Sequence, residues 1–466
     1  MKNSIILLIV LITSIGNLYP KPLKGKKSKD QPNIIVFLVD DMSYATLGYT
    51  GATKVKTPAI DKLINLGVFC EDGYVTHAVC APSRAGLMTG RYQARFGYET
   101  LSDNDQHQRT IDHGVDAREI FLAEPLQKAG YKTAAMGKWH LGVNEKYHPN
   151  NRGYDYFFGW IGRCDYFNYN YDKKQLLRND NLVDDINDGE YFTERMTDEA
   201  KAFIRSNANN PFFLYFSTYN VHKPHKVPDY YIPEGGDPYH GMVAAVDSAM
   251  DVIMHTLDDK GIRDNTLIFF LNDNGGVKGY PNTPFRGGKA TYYEGGIRVP
   301  FSITWPAVLP EGKKYTNMVS SLDIFPTALA AAGVELPSDR QYDGVNLIPY
   351  LKGDKKEPPH QVLHWRAGWG HAVRYKNWKM VWLRDKKKTK AFAKENNLPK
   401  RQKTDLPNYN DRGTALYTEK PELYDLSKDI SETNNVVDEY PEVVKTIMMQ
   451  MDWMDKLPLE QQYFNK

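Results

Sequence analysis

NIIVFLVDD, residues 33–41, is an unbroken β-rich apolar run that ends in two carboxylates. A strand with one solvated face alternates polar and apolar residues. This run does not, so both of its faces must be covered, as happens inside a mostly parallel sheet. Such sheets gather ligands outside the carboxyl ends of their strands. The segment TPAIDKLINLG follows, with Thr57 as N-cap, Pro58 in the first helical turn, Ile60, Leu63 and Ile64 as an apolar stripe, and Gly67 as the stop. Three later stretches each lead a helical pattern into a β-rich run that halts at polar residues: AREIFLAEPLQKAGYKTAAMGKWH, EAKAFIRSNANNPFFLYFSTYNVH and VAAVDSAMDVIMHTLDDKGIRDNTLIFFLNDNGG. The alternation predicts an α/β fold, a mixed and mostly parallel sheet sandwiched by helices.

A chain of 466 residues exceeds what one core usually holds, and the pattern changes near residue 355. HAVRYKNWKMVWLRD and PELYDLSKD read as short antiparallel strands and YPEVVKTIMMQMDWMDKL as a terminal amphipathic helix. We therefore expect a catalytic domain over 32–355 and a smaller C-terminal α+β domain, antiparallel sheet plus helix, over 356–466. Between those strands KKKTKAFAKENNLPKRQKTD reads as a basic loop, solvated rather than in contact with an anionic substrate. At the start, Lys2, an apolar run of about eleven residues from Ile5, and the small residues Ser14 and Gly16 read as a signal peptide over 1–16, followed by a basic linker over 17–31. The run falls short of the roughly 20 residues that span a bilayer. The expectation is an exported protein, periplasmic or secreted, with no membrane span and no lipid attachment.

Lys and Arg number 59 against 57 Asp and Glu, so no bulk field selects nucleic acid, and any preference for anions must be local. Tyr154 to Tyr171 (YDYFFGWIGRCDYFNYNY) reads as ordinary aromatic packing, with flat faces for sugar rings as the alternative. Cys70, Cys80 and Cys164 are an odd set in an exported chain, so at least one has a fate other than an internal disulfide.

Cys80 lies in VCAPSRAGLMTGRY, where Pro82 suits a first helical position, which would put Cys80 just ahead of the helix, facing unpaired N–H groups and the positive end of the dipole. Arg84, four residues on, adds its charge. A thiolate nucleophile needs a longer phosphate cradle than the Cys80-to-Arg84 spacing provides. Asp40-Asp41 and Asp273-Asn274, at the ends of two apolar strands, offer hard oxygen ligands suited to calcium or magnesium rather than zinc.

Cys80-Ala81-Pro82-Ser83-Arg84, followed by Gly86, Leu87, Thr89, Gly90 and Arg91, resembles the signature of the formylglycine-dependent type I sulfatases, in the alkaline-phosphatase-like superfamily. VDDM, GKWHLG, DNGG, RGGKATYYEGGIRVP and ELYDLSKDISETNN appear in the family's order, so the resemblance spans nearly the whole mature chain. It implies that a formylglycine-generating, sulfatase-maturating enzyme oxidises Cys80 to formylglycine, and that one calcium ion is held by Asp40, Asp41, Asp273, Asn274 and the modified residue 80. It further implies that the hydrated aldehyde is the nucleophile, that Arg84, Lys138 and Lys289 bind the sulfate, that His222 protonates the leaving oxygen, and that His140 takes the proton that releases sulfate. His225 competes with His222 for its role. Asn272 stands where many relatives carry a small or acidic residue, which is expected to tune the metal shell at most. The expected substrate is a sulfated polysaccharide or its oligosaccharides, resembling those of exported bacterial enzymes that desulfate ulvan or carrageenan. Two other readings are a phosphatase or phosphodiesterase of the same superfamily, against which Cys80 and the few histidines near the Asp pairs speak, and a non-catalytic glycan-binding relative with Cys80 unconverted.

Overall fold

The computed structural model describes residues 31–99, 114–162, 165–167, 176–187, 189–367, 370–383, 385–395, 418 and 420–455. The signal peptide, most of the basic linker, Arg163 and Cys164 lie outside the described residues. The strands in chain order are β1 (Asn33–Val39), β2 (Val68–Cys70), β3 (Gly73–Tyr74), β4 (Lys132–Lys138), β5 (Tyr156–Trp160), β6 (Leu177–Arg178), β7 (Asn181–Leu182), β8 (Phe212–Ser217), β9 (Thr266–Asn272), β10 (Phe301–Thr304), β11 (Lys313–Tyr315), β12 (Val319–Ser320), β13 (Val362–Ala367), β14 (Gly370–Tyr375), β15 (Trp378–Leu383) and β16 (Glu422–Asp425).

Ten strands form one sheet in the order β11-β2-β10-β9-β1-β8-β4-β5-β6-β7, and its central run from β9 to β5 is parallel. The sequence of β1 explains its central place. Ile34, Val36 and Leu38 face one apolar layer with Ala81, Ala85 and Met88 of the helix Cys80–Thr89. Ile35, Phe37 and Val39 face the opposite layer, built from the helices Pro58–Asn65, Phe192–Asn207 and Pro238–Asp259. No helix among the described residues is long and apolar enough to cross a membrane.

The four antiparallel strands β13-β14-β15-β16 make the second, smaller sheet. Leu363, Trp365, Ala372 and Val381 on one of its faces join the first core layer. Val373, Met380 and Leu423 on the other pack under Ile447 and Met451 of the terminal helix Pro441–Asp455. The small sheet is thus wedged between the large domain and that helix.

Two local expectations are corrected. The helix expected from Pro82 begins at Cys80, with Val79 as N-cap. A proline is tolerated throughout the first turn, where N–H groups have no intrahelical partner, so it marks that turn without fixing its first residue. The basic stretch expected as a loop is helical over Lys386–Glu395, and the rest of it lies outside the described residues. Lys, Ala and Glu favour helix intrinsically, and the exposed face needs no apolar stripe. In the tyrosine-rich segment Tyr154, Phe157, Phe158, Trp160 and Tyr166 are buried core residues, as ordinary packing requires.

Candidate active site

The parallel register brings the chemistry together. Val39 pairs with Asn272, Leu38 with Ser217, and Ser217 with Gly137, so β1, β9, β8 and β4 stop at one level. The residues just beyond are Asp40-Asp41, Asp273-Asn274, Thr218–His222 and Lys138–His140. Close backbone approach holds this edge. A Cβ on Gly275 would meet the Gly295 carbonyl oxygen at 1.8 Å, and one on Gly137 would meet that of Ser217 at 2.0 Å. Asp41 and His140 both turn at left-handed φ, 63° and 64°, a backbone that non-glycine residues adopt rarely and often at functional sites.

Asp40, Cys80 and Asp273, all buried, each offer a ligand atom within 4.8 Å of the others. Arg84 lies beneath them: its Nε and Nη2 donate to Asp273 Oδ2 at 3.0 and 2.7 Å, and its Nη1 donates to the Lys138 carbonyl at 3.2 Å, to Tyr215 at 3.3 Å and to Ser217. Lys138 Nζ donates to Asp40 Oδ2 at 2.5 Å and lies 5.1 Å from the centre of the Tyr219 ring. Lys289 Nζ donates to both oxygens of Asp41, at 2.5 and 2.6 Å. Asn274 donates its amide to Asp41 Oδ1 at 2.8 Å, and His222 Nε2 lies 3.8 Å from Asp41 Oδ2. All ten residues singled out from the sequence lie at this strand edge. His225 instead packs edge-on against the stacked rings of Tyr239 and Tyr280. Asn272 donates to the Met42 carbonyl at 2.6 Å, tying two strand ends together.

The donor set fits a hard cation. Asp40 Oδ1 and Asn274 Oδ1 are buried and lack a hydrogen-bond partner, a costly state that a bound ion relieves. Three carboxylates, Asp40, Asp41 and Asp273, face three cations, Arg84, Lys138 and Lys289. A divalent ion added to that balanced set leaves a positive excess, which suits an anionic substrate.

Burial would raise the Asp40 carboxyl, but Lys138, His222, Arg84 and Lys289 together hold it well below the usual carboxylate range. Burial, and then Asp40, push Asp273 up to about 7 against the pull of Arg84. Burial also pushes the Cys80 thiol up despite Lys138 and Lys289. An unmodified Cys80 is therefore a poor thiolate nucleophile, since the thiolate is the reactive form. Burial, with Lys138 and Arg84 beside it, holds His140 well below its ordinary value, and both of its ring nitrogens lack a partner. Burial lowers His222 as well, over the opposing pull of Asp40.

Tyr215, Ser217 and Tyr219 were missed in the sequence; Tyr215 and Ser217 alternate along FFLYFS and share one side of β8, while Tyr219, beyond the strand end, packs in the opposite core layer. Cys70 is a free, buried thiol within β2.

A buried cluster of carboxylates and cations at the carboxyl edge of a parallel sheet has the chemistry to hold a hard cation and an anionic ester, as the hydrolases of such esters do. Residues 32–334 match the family described as Sulfatase, residues 357–463 the C-terminal region of aryl-sulfatase, and residues 288–396 the C-terminal part of N-sulphoglucosamine sulphohydrolase. The chain belongs to the sulfatase family and is a sulfuric ester hydrolase. It is 32% identical over 406 residues to the uncharacterized sulfatase YdeN of Escherichia coli (strain K12), covering 74% of this chain and 70% of that one. It is 34% identical over 343 residues to N-acetylgalactosamine-6-sulfatase of Homo sapiens, covering 69% and 66%. Among solved structures it resembles Ps i-CgsB with a TM-score of 0.79 at 30% identity, covering 93% of this chain and 94% of that one. Ps i-CgsB has also been solved in complex with k-i-k-neocarrahexaose.

Proposed function

We propose that this sulfatase removes sulfate from a sulfated carbohydrate, an algal polysaccharide of the ulvan or carrageenan type or its oligosaccharides, with formylglycine at position 80 and one calcium ion. The observation that carries the chemistry is the buried cluster of Asp40, Cys80 and Asp273 with the unpartnered Oδ1 atoms of Asp40 and the adjoining Asn274. The likeness to Ps i-CgsB, solved with a carrageenan oligosaccharide, supports the substrate class.

Asp40, Asp41, Asp273 and Asn274 would hold the ion. Formylglycine made from Cys80 by the maturating enzyme would supply the oxygen nucleophile, and calcium held by those residues would supply the charge that acidifies it. The remaining tasks fall to the chain's own residues. Arg84, expected from the resemblance to bind sulfate, has its donors on Asp273 and on the ends of β4 and β8, so here its work is assigned instead to aiming Asp273 and fixing the floor of the site. Lys138 and Lys289 each have three donors and can extend them to sulfate oxygens, where a preorganised donor contributes about 2.7–4 kcal/mol to the transition state. The two histidines divide by depth. The His222 side chain is 28% exposed and stands at the mouth, where the leaving sugar oxygen must be protonated. His140 is 2% exposed and lies at depth, where it would accept the proton given up at position 80 as sulfate departs.

On the same reading, residues 32–355 form the catalytic unit, 356–466 the C-terminal one, and the protein is exported, with the maturating enzyme and the sulfated glycan as its partners. The test is inorganic sulfate release from a panel of sulfated ulvan and carrageenan oligosaccharides, with and without chelator. Release that chelation abolishes is expected. Full release in excess chelator removes the metal from the proposal, and phosphate release from phosphomonoesters in place of sulfate release replaces the function.

A further inference from the structure

Lys289 lies on a segment, 286–296, that the large domain holds by backbone hydrogen bonds on one flank and by the buried Tyr292 and the Glu294 contacts of Tyr74 and Arg298 on the other. Lys289 N donates to the Gly276 carbonyl and Ala290 N to that of Ala78, at 2.9 and 2.8 Å, while Gly275 N donates to the Gly296 carbonyl at 2.9 Å. The charged side-chain anchors on that flank belong to a buried cluster shared with the small sheet. Glu294, five residues beyond Lys289, accepts from Lys379 Nζ of β15 at 2.8 Å through Oε1, and from Tyr74 at 2.6 Å and Arg298 at 3.3 Å through Oε2. Glu432 accepts from the Glu294 backbone N–H at 2.6 Å and lies 3.7 Å from Lys379 Nζ. Arg286 donates to the Glu432 carbonyl and to Tyr424 of β16, both at 2.9 Å, and its guanidinium lies 3.8 Å over the Tyr293 ring. Arg374 of β14 donates to Tyr74 and to Asp72, whose other oxygen pairs with Arg298.

The side chains of Lys379, Glu294 and Glu432 are fully buried. Buried ion pairs seldom add stability over apolar packing, whereas they can fix one arrangement against its neighbours. Here the fixed arrangement is a loop that must hold one ammonium on the metal-binding edge. Lys379 and Glu432 crowd Glu294 from two sides, so a shift of the segment would pull the buried Lys379 ammonium away from the Glu294 oxygen it donates to.

We propose that the Glu294–Lys379 pair, seated by Glu432, is a positioning device for Lys289, through which the small sheet sets the geometry of the sulfate-binding site. This rests on the reading of Lys289 as a sulfate-binding group. Glu294, Lys379 and Glu432 are positioning residues, since no contact places them at the reacting atoms.

The test compares Lys379→Met, Glu294→Gln, their double variant and Lys379→Arg in the full-length, matured protein. Lys379→Met alone strands the buried Glu294 carboxylate, whereas the double variant removes both charges of the pair and keeps the test open if Lys379→Met fails to fold. Hydrogen exchange of peptides covering 286–296 is expected to speed up in the double variant, with β1 unchanged and Lys379→Arg near wild type. For the carrageenan or ulvan oligosaccharide turned over fastest, kcat/KM is expected to fall on the order of ten-fold. That loss is expected to vanish when the same changes are made on a Lys289→Ala background. Equal losses on both backgrounds, or unchanged exchange across 286–296, would overturn the proposal. If wild-type protein releases no sulfate from any substrate, the sulfatase reading fails, while the exchange experiment still decides whether the pair holds the segment.

Discussion

Replacing Lys289 with methionine should tighten calcium binding while sharply slowing turnover. The Lys289 ammonium donates to both oxygens of Asp41, at 2.5 and 2.6 Å, and so occupies the lone pairs a calcium ion would use. The Asp41 side chain is 2% exposed and that of Lys289 19%, so little solvent screens the contact. A hydrogen bond to a charged group contributes about 1.5–3 kcal/mol net, which calcium must displace before it can bind Asp41. At about 1.4 kcal/mol per factor of ten, removing the competitor should lower the calcium Kd by roughly 10- to 100-fold. The same change deletes the donor we assign to sulfate and should cost about 100- to 1000-fold in kcat. Calorimetric titration of chelator-stripped protein gives the first number and sulfate release the second. Unchanged or weaker calcium affinity in a folded Lys289→Met variant would show that the ammonium does not compete for Asp41, and the assignment of Asp41 as a ligand would go with it.

Cys80→Ser should bind a sulfate ester and stop after one event with the serine sulfated, because no aldehyde can re-form; intact mass detects the adduct, and sustained turnover refutes the aldehyde route. Asp247, which accepts the Ile60 and Ala59 N–H groups at 2.9 and 3.3 Å, is pushed up to about 6 by burial, with Asp61 and Asp251 adding and the N–H groups opposing. Its folded value exceeds its unfolded one, so its stabilising contribution is full below about pH 4 and lost as pH rises through 6, a swing of about 3 kcal/mol. Asp247→Asn should flatten the pH dependence of the unfolding free energy between those limits by that amount, measured by denaturant titration. Gly137→Ala, whose Cβ would lie 2.0 Å from the Ser217 carbonyl oxygen at a φ of 96°, should destabilise by roughly 2–4 kcal/mol in the same assay, and a neutral result would refute the close packing of β4 on β8.

The centre of the fold was legible because its strands are covered on both faces. NIIVFLV and TLIFFLN carry no polar residue inside until they end, so their polar ends announced the site edge. The roles of Cys80 at a helix start, Lys138 at the end of β4 and Lys289 in a glycine-flanked loop were found by resemblance, since a single residue at such a place has no periodic signal of its own. The helix start was misread by two residues because proline fits anywhere in a first turn, and the basic stretch because a solvated helix has no apolar stripe to mark it. The commitment of Arg84 to Asp273 depends on a partner 189 residues away, and the pairing of Lys379 with Glu294 on one 85 residues away. Such pairings are set by how sheets pack, and nothing local in the chain encodes them.

The central claim, an aldehyde at position 80 set beside a cation to attack sulfur, is tested most directly on protein co-expressed with a formylglycine-generating enzyme. Peptide mass spectrometry of the segment containing Cys80 and sulfate release should be measured on the same preparation. The account predicts a residue that has lost sulfur and two hydrogens and gained oxygen, with sulfate release proportional to the converted fraction. Sulfate release at full rate from protein whose Cys80 is still an intact thiol would contradict it.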